Sequence, residues 1–465
     1  MTLDDFEVAV IGLGYVGLPL ASLCAKQGHR VIGFDSDQDK IEVLSQGRTP
    51  IKDDKVARLF TEACESGNFQ VSSKVEDITA AEIYLICVPT PVDADSKPDL
   101  EPLVAACRLV APRLSAGNLV VVESTVFPGT CEEIVAPLLE TESGLTLDSE
   151  YYLAHCPERV NPGDLFWTSE NIPRVVGATS EQGAQLAAEF YASILGGPIF
   201  EVREFRQSLS PKFSLTEKGV RVAQAPLGSV TKMRSIRDAE AVKVMENTVR
   251  DVNIAFVNEL AKISDVLDLD VVDIIDGMAT KPFGKGPFFP GVGVGGHCIA
   301  VDPEWLKSAS EQAGYIPEII KLARQTNKGM PEYTISLLED LLAQRGLALP
   351  ELSIAILGVA YKRNVEDTRE SPFYDLRDLL LAKGATVEVF DSWVTEENTT
   401  DSLIACLERA SVIVVVTEHS DLVDALKSID LSALGIEVLF DGRNCLDADQ
   451  VRQQGVLYRG IGRGY

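Results

Sequence analysis

The chain has no CxxC pair and no histidine–cysteine cluster at zinc spacing, although nine cysteines are scattered along its 465 residues. This absence argues against a structural zinc, so no metal is expected, and a reducing compartment keeps such thiols free. Long apolar runs are missing as well. The longest, such as Ser411 to Thr417, are strand-length and far short of the ~20 residues that cross a bilayer. Positive charge is scarce: 42 Lys and Arg against 70 Asp and Glu give a formal charge of −28. That balance argues against nucleic-acid and polybasic membrane contacts, so any phosphate must be held locally, by a helix N-terminus or a few placed cations. The first residues, Met1-Thr2-Leu3-Asp4-Asp5-Phe6-Glu7, are acidic where a secretory signal is basic, and a cytoplasmic location is expected.

What the chain does have is apolar content for two or three domains, 46% of its residues. An apolar strand Val8–Ile11, a turn Gly12-Leu13-Gly14-Tyr15-Val16-Gly17, an apolar helix to Lys26 and a strand Arg30–Phe34 ending in Asp35 form a βαβ unit. Further strands are expected near Ile83–Val88, Leu119–Glu123 and Tyr151–Ala154, with helices near Leu100–Leu114 and Glu132–Leu139. Helical spacing from Asp238 to Leu267 predicts one long helix, followed by helices Glu304–Gln312 and Pro317–Lys328. After Leu349-Pro350 the opening pattern returns, with strand Ser353–Leu357, Gly358, helix Ser371–Ala382 and strand Thr386–Phe390 ending in Asp391.

The fold class is therefore α/β: two Rossmann-like doubly wound domains joined by a long central helix and a helical middle domain. The boundaries fall at residues 1–202 for the dinucleotide domain, 203–237 for a basic insertion, 238–345 for the central helical domain and 351–465 for the second Rossmann-like domain. The insertion carries eight Lys and Arg against two acids and reads as a solvated surface loop.

The first glycine turn follows a strand and opens a helix, which makes it a dinucleotide fingerprint. Asp35 would accept the ribose hydroxyls and repel a 2′-phosphate, favouring NAD. Val88-Pro89-Thr90-Pro91 and Glu123-Ser124-Thr125 stand just past strands and read as the rim of a nicotinamide pocket. In the second half, Gly358-Val359-Ala360-Tyr361-Lys362-Arg363-Asn364 puts cations where glycines are missing, which points to a phosphate-bearing group gripped partly by Lys362. Cys298 lies in Gly291-Val292-Gly293-Val294-Gly295-Gly296-His297-Cys298, where glycines allow a ligand to approach the thiol closely. Asp302, four residues on, could pair with a lysine ammonium. His297 is rated structural. Lys243 and Asn247 are four apart on one face of the long helix, and Glu158 by itself is ambiguous.

Together these motifs, with Pro157-Glu158-Arg159 and Arg369-Glu370-Ser371-Pro372, resemble the NAD-dependent nucleotide-sugar 6-dehydrogenases, which include UDP-glucose and UDP-N-acetylhexosamine dehydrogenases. The resemblance implies a four-electron oxidation of a sugar C6 alcohol to a carboxylate, with two NAD and no release of aldehyde. It makes Cys298 the nucleophile that forms a thiohemiacetal and then a thioester, and Glu158 the base for hydrolysis. Lys243 and Asn247 would stabilise the oxyanion, while Asp302 and Thr125 would order water and share proton transfer. Gly12, Leu13, Gly14, Tyr15, Val16, Gly17, Asp35, Pro89, Thr90, Ser124 and Thr125 would hold NAD. Glu158, Arg159, Lys243, Asn247, Phe289, Gly293, Gly295, Lys362 and Arg369 would hold the UDP-sugar.

The motifs around Glu158 and Cys298 look most like enzymes of UDP-N-acetylmannosamine, and Ala279 to Gly284 with Pro287 to Gly291 like those of UDP-N-acetylglucosamine or its galacto epimer. An N-acetylhexosamine is favoured over glucose. The long helix suggests a homodimer or higher oligomer, and the product suggests polysaccharide biosynthesis. A two-electron β-hydroxyacid dehydrogenase would lack Cys298 and the second half, and a silent nucleotide-sugar-binding regulatory protein would have lost catalytic side chains that are present here.

Overall fold

The structure, a computed structural model, describes residues 6–78, 80–91, 98–160, 164, 166–203, 225–281, 287–296, 298–350 and 352–463. Residues 204–224 of the basic insertion, residues 282–286 and the structural reading of His297 lie outside the described residues. The chain divides into two compact units, residues 1–246 and 247–465, with the boundary inside one helix, Ile236–Leu267.

In the first unit, short apolar runs buried on both faces form a mostly parallel sheet, as strands covered by helices on each side require. Its strands are β1 (Glu7–Ile11), β2 (Arg30–Phe34), β3 (Phe69–Ser72), β4 (Ile83–Ile86), β5 (Leu119–Val122), β6 (Tyr152–His155), β7 (Arg174–Ala178), β8 (Ile199–Glu201) and β9 (Val230–Lys232). They lie in the order β3-β2-β1-β4-β5-β6-β7-β9-β8. Only β6 with β7 is antiparallel among these pairings. The first six reproduce the doubly wound order 3-2-1-4-5-6, which places the C-terminal ends of β1 and β4 at the switch point.

β9 lies within the stretch 203–237 and pairs with both β7 and β8, and the first unit runs on into the long helix. Three residues between the Pro226–Gly228 turn and that helix carry too little periodicity to reveal such a strand.

The long helix begins at Ile236, two residues before the expected start, because Ser235 Oγ accepts the N–H of Asp238 as a cap. Helices Val271–Ala279 and Met330–Ala343 join those expected from the sequence. In the second unit, β10 (Ser353–Leu357), β11 (Thr386–Phe390), β12 (Val412–Val415), β13 (Val438–Asp441) and β14 (Leu457–Gly460) form an all-parallel sheet, β11-β10-β12-β13-β14. It is a second Rossmann-like layer with its own apolar core on each face.

Candidate active site

The first glycine turn leaves β1 with Gly12 at φ +94°, where a Cβ would stand 2.7 Å from the Cys87 carbonyl. Gly17 packs so closely on the Gly12 carbonyl that no side chain fits. Gly14 meets nothing within 4 Å, so its missing side chain leaves open space. The helix Gly17–Lys26 that follows has no side-chain cap, and its N-terminus turns the positive end of the helix dipole toward an anion. The turn therefore fits the pyrophosphate of a dinucleotide; Tyr15 is exposed on it, Val16 half-buried and the Leu13 side chain buried beneath.

Asp35 is buried at the end of β2. Its Oδ2 accepts the Leu13 N–H (2.9 Å) and the Lys40 ammonium (2.7 Å), and its Oδ1 accepts the Asp37 N–H (3.0 Å). Burial alone would raise this carboxyl, but Lys40 and the two N–H groups hold it below its ordinary value. Lys40 was missed by sequence reasoning; its signal was a cation five residues past the acid.

The loops after β4 and β5 are stitched together. Thr90 Oγ1 donates to the Thr125 carbonyl (2.7 Å), and Ser124 Oγ to the Val88 carbonyl (2.7 Å). Pro89 is exposed at the tip. Beyond them, Gly129 and Cys131 N–H groups donate to the buried carboxylate of Glu240 (2.6 and 2.8 Å), so the long helix clamps the loop that carries Thr125.

Glu158, three residues past β6, has both oxygens engaged. Arg159 and Val160 N–H groups donate to Oε1, and Arg174 donates to Oε2 at 2.8 Å. Arg174 also donates to Glu123 at 2.9 Å, and Tyr191 donates its hydroxyl to Glu123. Burial pushes Glu123 up to about 7, although Arg174 and Tyr191 favour its ionised form. Arg174 and Tyr191 were not foreseen; the available signal was an arginine opening the otherwise apolar strand β7. Arg159 is tied by its guanidinium to Glu246 and to the Pro173 carbonyl (3.1 Å). Lys243 is half-buried on the long helix.

In the second unit, the helix Asp302–Gln312 starts four residues after Cys298. The N–H groups of Asp302 (2.8 Å) and Val301 (3.1 Å) donate to the Cys298 carbonyl, and Asn247 Nδ2 donates to Asp302 Oδ2 at 2.6 Å. Asn247, Cys298 and Asp302 thus form one group, with the Cys298 side chain half-buried.

The glycines before Cys298 have a different role from the expected one. They let the loop lie against the protein's own chain. A Cβ on Gly295 would meet the Glu370 carbonyl at 2.6 Å and Tyr361 at 2.8 Å, one on Gly293 would meet Pro372 at 2.8 Å, and one on Gly291 would strike Arg443. Gly296, at φ +87°, lies over the Tyr361 ring, and its N–H donates to the Arg369 carbonyl (2.9 Å). Gly291 N–H donates to Asn258, which joins a buried network of Asn327, Asp251 and Arg324. The thiol is presented by a loop seated on the second Rossmann-like layer. Phe289 is exposed, Lys362 half-buried, and Arg369 exposed with its guanidinium held by Asp367 in a two-pronged contact (2.9 and 2.6 Å).

The phosphate turns of the two halves share a backbone plan. Gly358 N–H donates to Phe390 O as Gly12 N–H does to Phe34 O. They differ at the strand-end acid. Asp391 is fully buried, accepts the N–H groups of Val359 and Ala360, and meets His419 Nε2 at 3.0 Å. The Trp393 ring stacks on His419. The protein's own side chains thus close off Asp391, whereas Asp35 meets Lys40.

Comparison with known proteins places these geometries in a lineage. The NAD-binding, central and UDP-binding domain models of the UDP-glucose/GDP-mannose dehydrogenase family match residues 6–195, 237–329 and 355–448. The chain is 36% identical to UDP-N-acetyl-D-mannosamine dehydrogenase of Pyrococcus horikoshii, over 98% of this chain and 99% of that one. It is 34% identical to UDP-N-acetyl-D-glucosamine 6-dehydrogenase of Salmonella typhi, over 96% and 98%. The solved structure of the Pyrococcus horikoshii UDP-D-ManNAc dehydrogenase superposes with a TM-score of 0.85 at 34% identity, covering 98% and 99% of the two chains.

Proposed function

We propose that this chain, which belongs to the UDP-glucose/GDP-mannose dehydrogenase family, oxidises the C6 alcohol of a UDP-N-acetylhexosamine, of the manno or gluco series, to the uronic acid. It is an oxidoreductase, an NAD-dependent UDP-sugar dehydrogenase. The N-acetylated sugar is carried over from the relatives named for it. UDP-glucose is the second reading, supported by the family name.

The Gly12–Gly17 turn would hold NAD, which when bound would supply the hydride acceptor for both oxidations. Cys298 Sγ adds to the aldehyde carbon after the first, giving a thiohemiacetal, and holds the acyl group as a thioester after the second. Lys243 and Asn247 face the developing oxyanion with an ammonium and an amide, while Thr125 and Asp302 order water. Glu158 takes the proton of the water that hydrolyses the thioester, and Arg159, Phe289, Gly293, Gly295, Lys362 and Arg369 hold the UDP-sugar. In this reading residues 1–202 with β9 serve NAD, 238–345 carry the cysteine and 351–465 take the UDP.

The single observation that carries the reading is the Asn247–Asp302–Cys298 group, an amide bonded to a carboxylate whose own backbone N–H is bonded to the carbonyl of the cysteine. Two further readings accompany it. All nine cysteines are free thiols, which supports a reducing compartment, the cytoplasm. An exposed apolar stripe on the long helix, Val249, Phe256, Ile263 and Leu267, supports a homodimer. The uronic acid product suits polysaccharide assembly.

The test is NADH formed per sugar consumed, with UDP-N-acetylmannosamine, UDP-N-acetylglucosamine and UDP-glucose side by side, for wild type and Cys298→Ala. Two NADH per sugar, lost in the variant, is the expected result. One NADH per turnover, or full activity without the thiol, overturns the role of Cys298.

A further inference from the structure

Glu158 does not stand alone. Behind it Arg174 and Glu123 are withdrawn from water, at 1% and 0% side-chain exposure, whereas Glu158 keeps 11%. The three side chains come from the end of β5, the loop after β6 and the start of β7, so each is fixed by a different strand of one sheet. A buried arginine needs one carboxylate for charge balance. A second adds repulsion and desolvation, so stability does not explain why Glu158 shares the guanidinium. The remaining lone-pair direction of Glu158, with three already engaged, is left for one further donor.

We infer that Arg174 is a positioning residue for Glu158, with Glu123 as its counter-anchor: the guanidinium, pinned from behind, fixes the Glu158 carboxylate in its rotamer, in place to receive a proton from water. The inference rests on the reading of Glu158 as base. In that step the water oxygen bonds to the thioester carbon, its proton passes to Glu158, and the C–S bond breaks with its electron pair going to Cys298 Sγ. Arg174 keeps its charge throughout.

The groups facing this cluster are few. Arg174, Glu123 and Arg159, the last tied to Glu246, bear on Glu158. Tyr191, Cys156, Cys87 and Cys24 bear on Glu123 and Arg174.

The experiment uses the full chain with NAD and UDP-N-acetylmannosamine or UDP-N-acetylglucosamine, whichever the wild type turns over. It follows NADH by absorbance and the sugar adduct on Cys298 by intact mass, for Glu158→Gln, Arg174→Gln and Arg174→Lys. Glu158→Gln should accumulate adduct. Arg174→Gln should do the same, with the second step at least tenfold slower and KM little changed. Arg174→Lys, which keeps the charge but loses the fork, should fall between it and wild type. Glu158→Gln that turns over normally without adduct removes the base reading itself. Adduct in Glu158→Gln, with Arg174→Gln behaving as wild type in kcat and showing no adduct, overturns the inference alone. If Arg174→Gln does not fold, Arg174→Lys decides: no adduct and an unchanged kcat overturn it.

Discussion

Two glycines that look alike in the sequence differ in what surrounds them. Gly14 faces open space, so Gly14→Ala should leave the melting temperature of the cofactor-free protein unchanged or slightly higher, while the KM for NAD rises at least tenfold because the methyl stands in the cofactor's path. Normal NAD use by this variant would remove the pyrophosphate site from the turn. Gly296 sits over Tyr361 at positive φ, so Gly296→Ala should cost ~2 kcal/mol from backbone strain and the ring contact. A thermal melt within a degree of wild type would contradict that. Asp35 is paired with Lys40; Asp35→Ala frees the ammonium and removes the charge that repels a 2′-phosphate. The ratio of kcat/KM for NAD over NADP should fall at least tenfold, and an unchanged ratio would show that discrimination lies elsewhere.

Among elements, the glycine turns show how far local sequence carries. The strand, turn, helix and second strand of each half were legible because periodicity and turn chemistry act over a few residues. The aspartates ending β2 and β11 looked equivalent by the same rules, yet one pairs with Lys40 and the other is sealed by His419, which lies 28 positions away from Asp391 in the chain. Burial raises Asp391, but His419 and the backbone N–H groups outweigh it and bring it down to about 2. A carboxyl depressed below its unfolded value of ~3.9 contributes stability above that pH and loses it as pH falls from about 4 towards 2, here ~2 kcal/mol. The gap in urea midpoint between wild type and Asp391→Asn should therefore be widest near neutrality and close across that window. A gap that persists unchanged to pH 2.5 would assign the stabilisation to another group.

For the whole molecule, the long helix leaves Val249, Phe256, Ile263 and Leu267 exposed on one stripe, and the following helices expose Met278, Ile319 and Leu322. In a chain of net charge −28, charge repulsion opposes association, so apolar burial must outweigh it. Wild type is expected to sediment as a dimer or larger at micromolar concentration, and Phe256→Lys should shift it towards monomer with secondary structure retained. A wild-type monomer would remove the dimer reading and leave the catalytic residues untouched.

The sequence by itself determined the two βαβ units, the dinucleotide turn with Asp35, the long helix and the cysteine motif, since each is written in residues adjacent or one turn apart. Tertiary structure decided which groups those residues meet. Glu123 and Arg174 are 51 positions apart yet 2.9 Å in contact, β9 joins its sheet from within the 203–237 stretch, and the glycines before Cys298 serve Tyr361 and Pro372. Such pairings depend on how distant segments pack, and no local pattern of hydrophobicity, charge or turn residues encodes that.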